Sequence, residues 1–167
     1  RLRPLAAYAA AQAAGRFADE LSPVKIPGKK GDVVVSADEH VRPDATLEGL
    51  AKLPPVFDAK TGTISAGNSS GINDGAAALL VMSAETAKRL GYAPLATVGC
   101  STQVGVDPKR MGIGPVPAVR ALEGLNGLGV RDYGLIELNE AFAAQVLACD
   151  RELEIPRAGG EPRNLRL

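Results

Sequence analysis

The sequence lacks several features that would place it in a specialised class of protein. It has one histidine and two cysteines in 167 residues, with no CxxC spacing, which argues against a metal cluster. Nineteen basic residues balance nineteen acidic ones, so the strong positive field typical of nucleic-acid binding is missing. The longest apolar run, about residues 75–82, is far shorter than the ~20 residues of a membrane span. We therefore expect neither a metal, a nucleic acid nor a membrane as a partner.

The two ends of the sequence are unusual. Residue 1 is arginine rather than methionine, and the basic start superficially resembles a targeting segment, although Gln12 and Arg16 suit a surface helix better. The first eight residues and the atypical tail, 155–167, suggest truncation, processing, a change of reading frame or an artefact. The two cysteines are expected to be buried free thiols in a reducing compartment, which favours a cytoplasmic location.

Helix-like and strand-like segments alternate along the chain, and 46% hydrophobic residues indicate a globular domain. Residues 6–21 are rich in alanine and predict a helix, followed by a loop over residues 22–31. The valines 33–35 predict a strand. Residues 46–53 predict a short helix, which Asp44 or Thr46 can cap and two prolines end.

The second half contains three strand–helix units. The first has a continuous apolar strand, residues 76–82, and a helix that begins at Ser83 and ends at Gly91. In the second, a strand over residues 95–99 precedes a helix opened by Pro115. The third has a strand over residues 135–138 and a helix whose apolar stripe is Phe142, Val146, Cys149 and Leu153. This order predicts an α/β fold with helices packed against a mainly buried sheet.

Three stretches have the composition of functional sites. Residues 65–75 combine small hydroxyls with glycines that allow close backbone approach to a ligand, although turn chemistry also explains them. Residues 105–115 are too rich in glycine and proline for regular structure and either line a site or merely connect two elements. In residues 139–143, Asn139 either caps a helix or faces a ligand, and the cap is slightly favoured.

Taken together and in this order, these stretches resemble the thiolases, coenzyme A-dependent acyltransferases. The likeness runs from about Ala13 to Cys149 and includes residues 15–20, 45–47, 51–53, 65–75, 105–108 and 139–143. It covers most of this chain but less than half of a complete thiolase. It implies a partial thiolase-like layered α/β fold, with residues 1–71 in the loop domain and 72–154 in the first part of the C-terminal half.

The resemblance also implies roles for individual residues. Asn139 would hold a water that donates to the thioester oxygen, where Claisen chemistry builds negative charge. Met111 and Phe142 would line the acyl pocket. Gly49 stands where relatives often have serine, so one polar contact would be missing. The positions implied to bind coenzyme A, from the nucleotide end to the pantetheine arm, are Arg42, Leu53, Phe57, Ala66, Ser70 and Gly71.

The groups that perform the covalent chemistry of thiolases have no counterpart in this sequence. That chemistry needs a nucleophilic cysteine, an activating histidine and a second cysteine that moves the substrate proton. Cys100 and Cys149 match neither cysteine motif and are interpreted as structural, and His40 as a surface or cofactor-rim residue.

We therefore interpret the chain as a segment of a thiolase that transfers acyl groups between coenzyme A thioesters, its substrates, in fatty acid metabolism. No permanently bound cofactor is expected, and the segment should be inactive alone. The complete protein would be a homo-oligomer, a dimer or a tetramer. The alternatives are a non-catalytic coenzyme A-binding or subunit-interaction module and, less favoured, an unrelated α/β binding protein.

Overall fold

The computed structural model describes residues 2–38, 41–42, 44–158, 161–162 and 165–166. Contacts divide them into two units: the first is the described part of Arg1–Gly71 with Glu140–Ala144, and the second is Ile72–Asn139 with Gln145–Arg166. The elements in chain order are α1 (Leu2–Ala13), β1 (Val24–Ile26), β2 (Val33–Val35), α2 (Leu47–Ala51), a 3₁₀ helix (Ala66–Asn68), α3 (Ala84–Leu90), a second 3₁₀ helix (Pro108–Ile113), α4 (Pro115–Asn126), β3 (Ile136–Glu137), α5 (Ala143–Leu153), β4 (Arg157–Ala158), β5 (Glu161–Pro162) and β6 (Leu165–Arg166).

In the first unit, α1 is shorter than the predicted helix of residues 6–21. Gly15 adopts a left-handed backbone with φ of 66°, and the Arg16 N–H donates to the Ala11 carbonyl, which closes the helix. The chain then turns back, so that the Phe17 ring stacks on Tyr8 with centroids 5.1 Å apart. The Tyr8 hydroxyl donates to Asp38, and this hydrogen bond raises the pKa of the tyrosine.

A short antiparallel hairpin follows in the same unit. Val24 pairs with Val35 and Ile26 with Val33, and the ends are tied by an ion pair of 2.6 Å between Lys25 Nζ and Asp32. The strand predicted at residues 33–35 is confirmed. The predicted loop over residues 22–31 was wrong in part, because Val24–Ile26, which has two β-branched residues, pairs with β2 as a strand.

In the second unit, α3 begins and ends at its predicted capping residues, and α4 begins at its predicted proline. Ser83 caps α3 by accepting from the Thr86 N–H at 3.2 Å, and Gly91 ends it with φ of 75°. Pro115 opens α4, as expected for a residue without a donor N–H. The buried apolar side chains lie in this unit, two of them on the predicted stripe of α5: Ala87, Val116, Val146, Cys149 and Ile155.

The predicted buried sheet is largely missing from the second unit. Ile136 and Glu137 form β3, which pairs in parallel with β6, so the strand predicted at residues 135–138 is confirmed. The strands predicted at residues 76–82 and 95–99 were wrong for this chain: both segments lack strand pairing among the described residues. Apart from the half-buried Met82, their side chains are exposed, because no neighbouring strand covers their faces.

Candidate functional site

The first unit contains a small apolar wall built on α2. Thr46 caps this helix: its hydroxyl accepts from the Gly49 N–H at 3.1 Å, which confirms one of the two predicted caps. The helix stops at Ala51, before the proline pair, and the next turn is closed by the Leu53 N–H on the Leu50 carbonyl at 3.2 Å. Leu50 and Leu53 are thereby presented towards the glycine–serine loop, which we define as residues 65–71.

The glycine–serine loop is more ordered than its composition suggests. Ser65 and Asn68 form a reciprocal capping box around the 3₁₀ helix, with the Ser65 N–H donating to Asn68 Oδ1 at 2.8 Å. Gly67 packs directly against Leu50 and Leu53, which we call the leucine wall. A Cβ atom at Gly67 would lie 2.6 Å from Leu50 Cδ2 and 2.7 Å from Leu53 Cδ1. A side chain at this position would push aside the ends of the two leucines, so glycine is favoured here by close packing and not by its backbone angles.

The end of the loop is joined to a segment far away in the sequence. Ser69 forms an isolated antiparallel bridge with Phe142, and the Ser70 N–H donates to the Ala141 carbonyl at 2.8 Å. These contacts lie within the first unit, to which residues 140–144 belong. They bring Phe142, predicted for the acyl pocket, opposite Ser69 and beside Ser70, one of the residues predicted for the pantetheine arm.

The predicted coenzyme A residues all lie in the first unit, and most are open to solvent. Arg42, Ala66 and Ser70 are exposed and Gly71 is half-buried. Phe57 exposes 75% of its surface and Leu53 38%. The loop therefore offers backbone polar groups beside accessible apolar surface, a combination suited to a ligand that carries both amides and methylenes.

A tight turn follows Phe57. The Asp58 carboxylate accepts from the backbone N–H groups of Lys60 at 2.9 Å and Thr61 at 3.2 Å, and from the Thr61 hydroxyl. The hydroxyl contact is the main reason why the pKa of Asp58 is lowered. The Val56 N–H donates to the Ile64 carbonyl at 2.8 Å, so the turn is anchored beside the glycine–serine loop.

Met111 lies in the second unit, on a segment that the sequence predicted to be irregular. Residues 108–113 instead form a 3₁₀ helix, because Asp107 accepts from the Lys109 N–H at 3.0 Å and so caps it. Met111 itself is 62% exposed. The neighbouring Gly112 faces α5, where its carbonyl accepts from the Cys149 thiol at 3.5 Å.

Asn139 is exposed in the second unit, two residues beyond β3. The favoured prediction that it caps the following helix was wrong, because α5 begins four residues later at Ala143. The amide is therefore not used as a helix cap. Sequence reasoning also missed Gln145, whose Cγ would be 3.6 Å from a Cβ at Gly112.

Neither cysteine has the surroundings of a nucleophile. Cys149 has no exposed surface, and burial raises the pKa of its thiol, which disfavours the reactive thiolate. Cys100 is exposed, so its predicted burial was wrong; it directly follows residues 95–99, which have no strand pairing among the described residues. His40 lies outside the described residues. Within the described part of the chain no group of His, Cys, Asp and Glu residues could hold a metal ion.

A cavity of about 170 Å³ in the second unit is distinct from these positions. Its one carboxylate, Glu123, already accepts from the Val130 N–H at 3.1 Å. The lining is otherwise almost entirely apolar and includes no predicted site residue: Val119, Leu122, Glu123, Val130, Tyr133, Leu135, Ile136, Leu153 and Ile155. We interpret it as a packing gap between α4 and α5.

Comparisons with known families match nearly the whole chain. The family model "Thiolase, N-terminal domain" matches residues 4–85, and "Thiolase, C-terminal domain" matches residues 92–162. A beta-ketoadipyl-CoA thiolase of Pseudomonas knackmussii is 58% identical over 145 residues, which are 87% of this chain and 36% of that protein. The chain thus spans little more than a third of that relative's length.

Solved structures give the same result at the level of the fold. The acetyl-CoA acetyltransferase of Bacillus anthracis superimposes with a TM-score of 0.81 and 46% identity, over 94% of this chain and 39% of that one. A human mitochondrial 3-ketoacyl-CoA thiolase in complex with CoA superimposes with a TM-score of 0.77 and is 46% identical. The match covers 92% of this chain and 38% of that one. No helix in the described residues has the length and apolar character needed to cross a bilayer.

Proposed function

The chain belongs to the thiolase family, and we propose that it supplies the coenzyme A-binding part of an acyltransferase that moves acyl groups between coenzyme A thioesters. The fold is α/β and thiolase-like, as predicted. In this proposal residues 1–71 are part of the loop domain, residues 72–154 are the first part of the C-terminal half, and residues 155–167 are an atypical tail. Coenzyme A and its acyl thioesters are the substrates.

The observation that carries the proposal is the arrangement around the glycine–serine loop. Gly67 lies against Leu50 and Leu53, and the Ser70 N–H is bonded to the Ala141 carbonyl beside Phe142. We propose that the pantetheine arm runs along this loop, past Phe57, with Ala66, Ser70 and Gly71 at its amides. The close packing supports this role because it holds the backbone in place before the ligand arrives.

The other residues take roles at the two ends of the substrate. Arg42, an exposed guanidinium, would meet the nucleotide end with Leu53 as an apolar wall. Phe142 and Met111 would line the acyl pocket, and Asn139, which caps no helix, would hold a water for the thioester oxygen. Such a donor can be worth roughly 3 to 4 kcal/mol to the transition state.

The covalent steps are not assigned to this chain. Cys149 is buried with a raised thiol pKa, Cys100 lies in an unpaired segment, and the sequence has a single histidine, His40. We propose that these 167 residues bind the substrate but do not accept its acyl group. We also propose that the complete protein is a homo-oligomer and that it is cytoplasmic. The two cysteines of this chain are free thiols, which suits a reducing compartment.

Two measurements on the full 167-residue chain test the proposal. Calorimetric titration with coenzyme A should give saturable heat, and a thiolysis assay with acetoacetyl-CoA and coenzyme A should give no turnover above buffer. Phe57→Ala removes an exposed ring and should weaken binding about tenfold, or about 1.4 kcal/mol. Tyr92→Ala, an exposed aromatic in the second unit, is the matched control and should bind like the wild type.

The proposal is contradicted by three outcomes. If titration of the wild-type chain with coenzyme A gives no heat, the proposed coenzyme A binding is wrong. Equal affinity of the Phe57→Ala and wild-type chains would remove the proposed path of the pantetheine arm. Turnover of acetoacetyl-CoA by the purified chain would show that a side chain among these residues does accept the acyl group.

A further inference from the structure

The start of α5 contacts the turn that carries Met111. Gln145 and Cys149 lie four residues apart on this helix, so their side chains share one face. The Cγ and Cβ atoms of Gln145 would lie 3.6 and 3.8 Å from a Cβ atom at Gly112, and the Cys149 thiol donates to the Gly112 carbonyl at 3.5 Å. All four residues belong to the second unit. Two successive turns of α5 therefore hold the backbone directly after Met111.

The surroundings of Met111 do little else to fix its position. Its side chain is 62% exposed, and a methionine side chain turns about three bonds. The backbone before it leaves the helical region at Arg110, where φ is −123° and ψ is 26°. After it, the Gly114 N–H closes the turn on the Met111 carbonyl at 3.0 Å. Because short 3₁₀ segments have poor hydrogen-bond geometry, the contacts with α5 decide where Met111 lies.

The contact with Gly112 is made by the aliphatic stem of Gln145 and not by its amide. The Cβ and Cγ atoms are the ones that face Gly112. The Oε1 atom is buried and has no hydrogen-bond partner among the residues that the structure describes. A buried acceptor without a donor costs free energy. Since methionine has the same stem without an unpaired oxygen, the roles of stem and amide can be tested separately.

We propose that Gln145 is a positioning residue of the acyl pocket. Its stem holds the Gly112 backbone and so sets where Met111 meets the acyl chain, while Cys149 holds the same backbone from the next helical turn. A displacement of about 1 Å is enough to weaken such a contact. This inference rests on the proposed function, which places Met111 at the acyl group, and it adds a residue that acts on the substrate only through Met111.

Calorimetric titration of the 167-residue chain with coenzyme A and with butyryl-CoA tests the proposal. The two ligands differ only in the butyryl group, so the ratio of their affinities reports on the acyl pocket. We expect the wild type to bind butyryl-CoA about tenfold more tightly, because part of a four-carbon chain leaves water. Gln145→Ala should reduce this preference to about twofold while coenzyme A binds as before. Gln145→Met keeps the stem and should retain the full preference.

Two further measurements separate positioning from stability. Hydrogen exchange at the amides of residues 111–114 should be about tenfold faster in Gln145→Ala than in the wild type, and unchanged in Gln145→Met. The urea midpoint of Gln145→Met should be at least that of the wild type, because the unpaired acceptor is gone. The matched control is Gln103→Ala, which alters an exposed glutamine of the same unit and should change neither the preference nor the exchange.

Two outcomes would overturn the inference and leave the proposed function intact. One is a Gln145→Ala chain that binds coenzyme A and keeps the full preference for butyryl-CoA. The other is loss of that preference in Gln145→Met as well, which would assign the effect to the amide. No heat with either ligand, or equal affinity of the wild type for both, would contradict the proposed function itself and the inference with it.

Discussion

At the residue scale, the two cysteines have opposite surroundings despite similar expectations from sequence. Cys149 has no exposed surface and its thiol donates to the Gly112 carbonyl, whereas Cys100 is exposed. We predict that the disulfide reagent DTNB labels Cys100 rapidly and Cys149 about a hundredfold more slowly, since Cys149 reacts only when its surroundings open. Cys100→Ser isolates the slow phase. Equal rates would mean that α5 does not pack against Gly112.

The raised pKa of Cys149 also predicts how stability depends on pH. The folded state favours the neutral thiol, so this contribution to stability is complete below the ordinary thiol pKa. It is lost as pH rises through the raised pKa of the folded state. Urea unfolding of the Cys100→Ser chain should therefore show a midpoint that falls at alkaline pH, and Cys149→Ala should remove this part of the pH dependence. An unchanged alkaline fall in Cys149→Ala would assign it to other groups.

Gly67 is the residue at which packing and ligand binding are most directly linked. Gly67→Ala places a methyl group against the ends of Leu50 and Leu53, which must move aside. We expect a loss of about 1 kcal/mol in unfolding free energy and weaker coenzyme A binding by calorimetry. Gly112→Ala is the control, since its Cβ would lie 3.6 Å from Gln145, an ordinary contact. Equal losses of stability and affinity in the two variants would contradict the close packing of Gly67 on Leu50 and Leu53.

At the scale of elements, the short helices depend on their caps because they bury few side chains. Thr46→Ala removes the acceptor for the Gly49 N–H and should destabilise α2 by about 1 kcal/mol. Because α2 carries the leucine wall, coenzyme A affinity should fall as well. Thr46→Ser retains the acceptor and should restore both properties.

The helix α3 provides a comparison for that prediction. Ser83→Ala removes an equivalent cap, in which the serine hydroxyl accepts from the Thr86 N–H at 3.2 Å. It should lower the thermal midpoint to a similar extent without changing coenzyme A affinity. If both substitutions weaken binding equally, the effect is one of general stability and α2 has no specific part in the site.

At the scale of the whole molecule, the exposed apolar surface should dominate behaviour in solution. Residues such as Ile72, Leu80 and Leu95 are more than 70% exposed. We predict that the chain alone binds the dye ANS strongly and elutes as associated species in size-exclusion chromatography with light scattering. Leu80→Lys should reduce both signals, whereas Leu125→Lys should reduce them less. A monomer that does not bind ANS would contradict this prediction.

Local chemistry explains which elements were predictable from sequence. Thr46, Ser83, Gly91 and Pro115 act on backbone groups within a few residues, so their caps and boundaries follow from the sequence alone. The likeness to thiolases was also readable, because it depends on the order of residues 65–75, 105–108 and 139–143. The ends of α1 and β1 were missed, since a left-handed glycine and a pairing partner decided them.

The sequence by itself therefore determined the family, the α/β class, the starts of α2 and α4 and both ends of α3. Only the tertiary structure decided that Gly67 packs on a leucine wall, that Ser70 is bonded to the Ala141 carbonyl beside Phe142, and that Cys149 is buried while Cys100 is exposed. It also decided that the apolar segments 76–82 and 95–99 remain unpaired. The physical reason is that strands and close packing require groups distant along the chain, whereas caps and turns require only near neighbours.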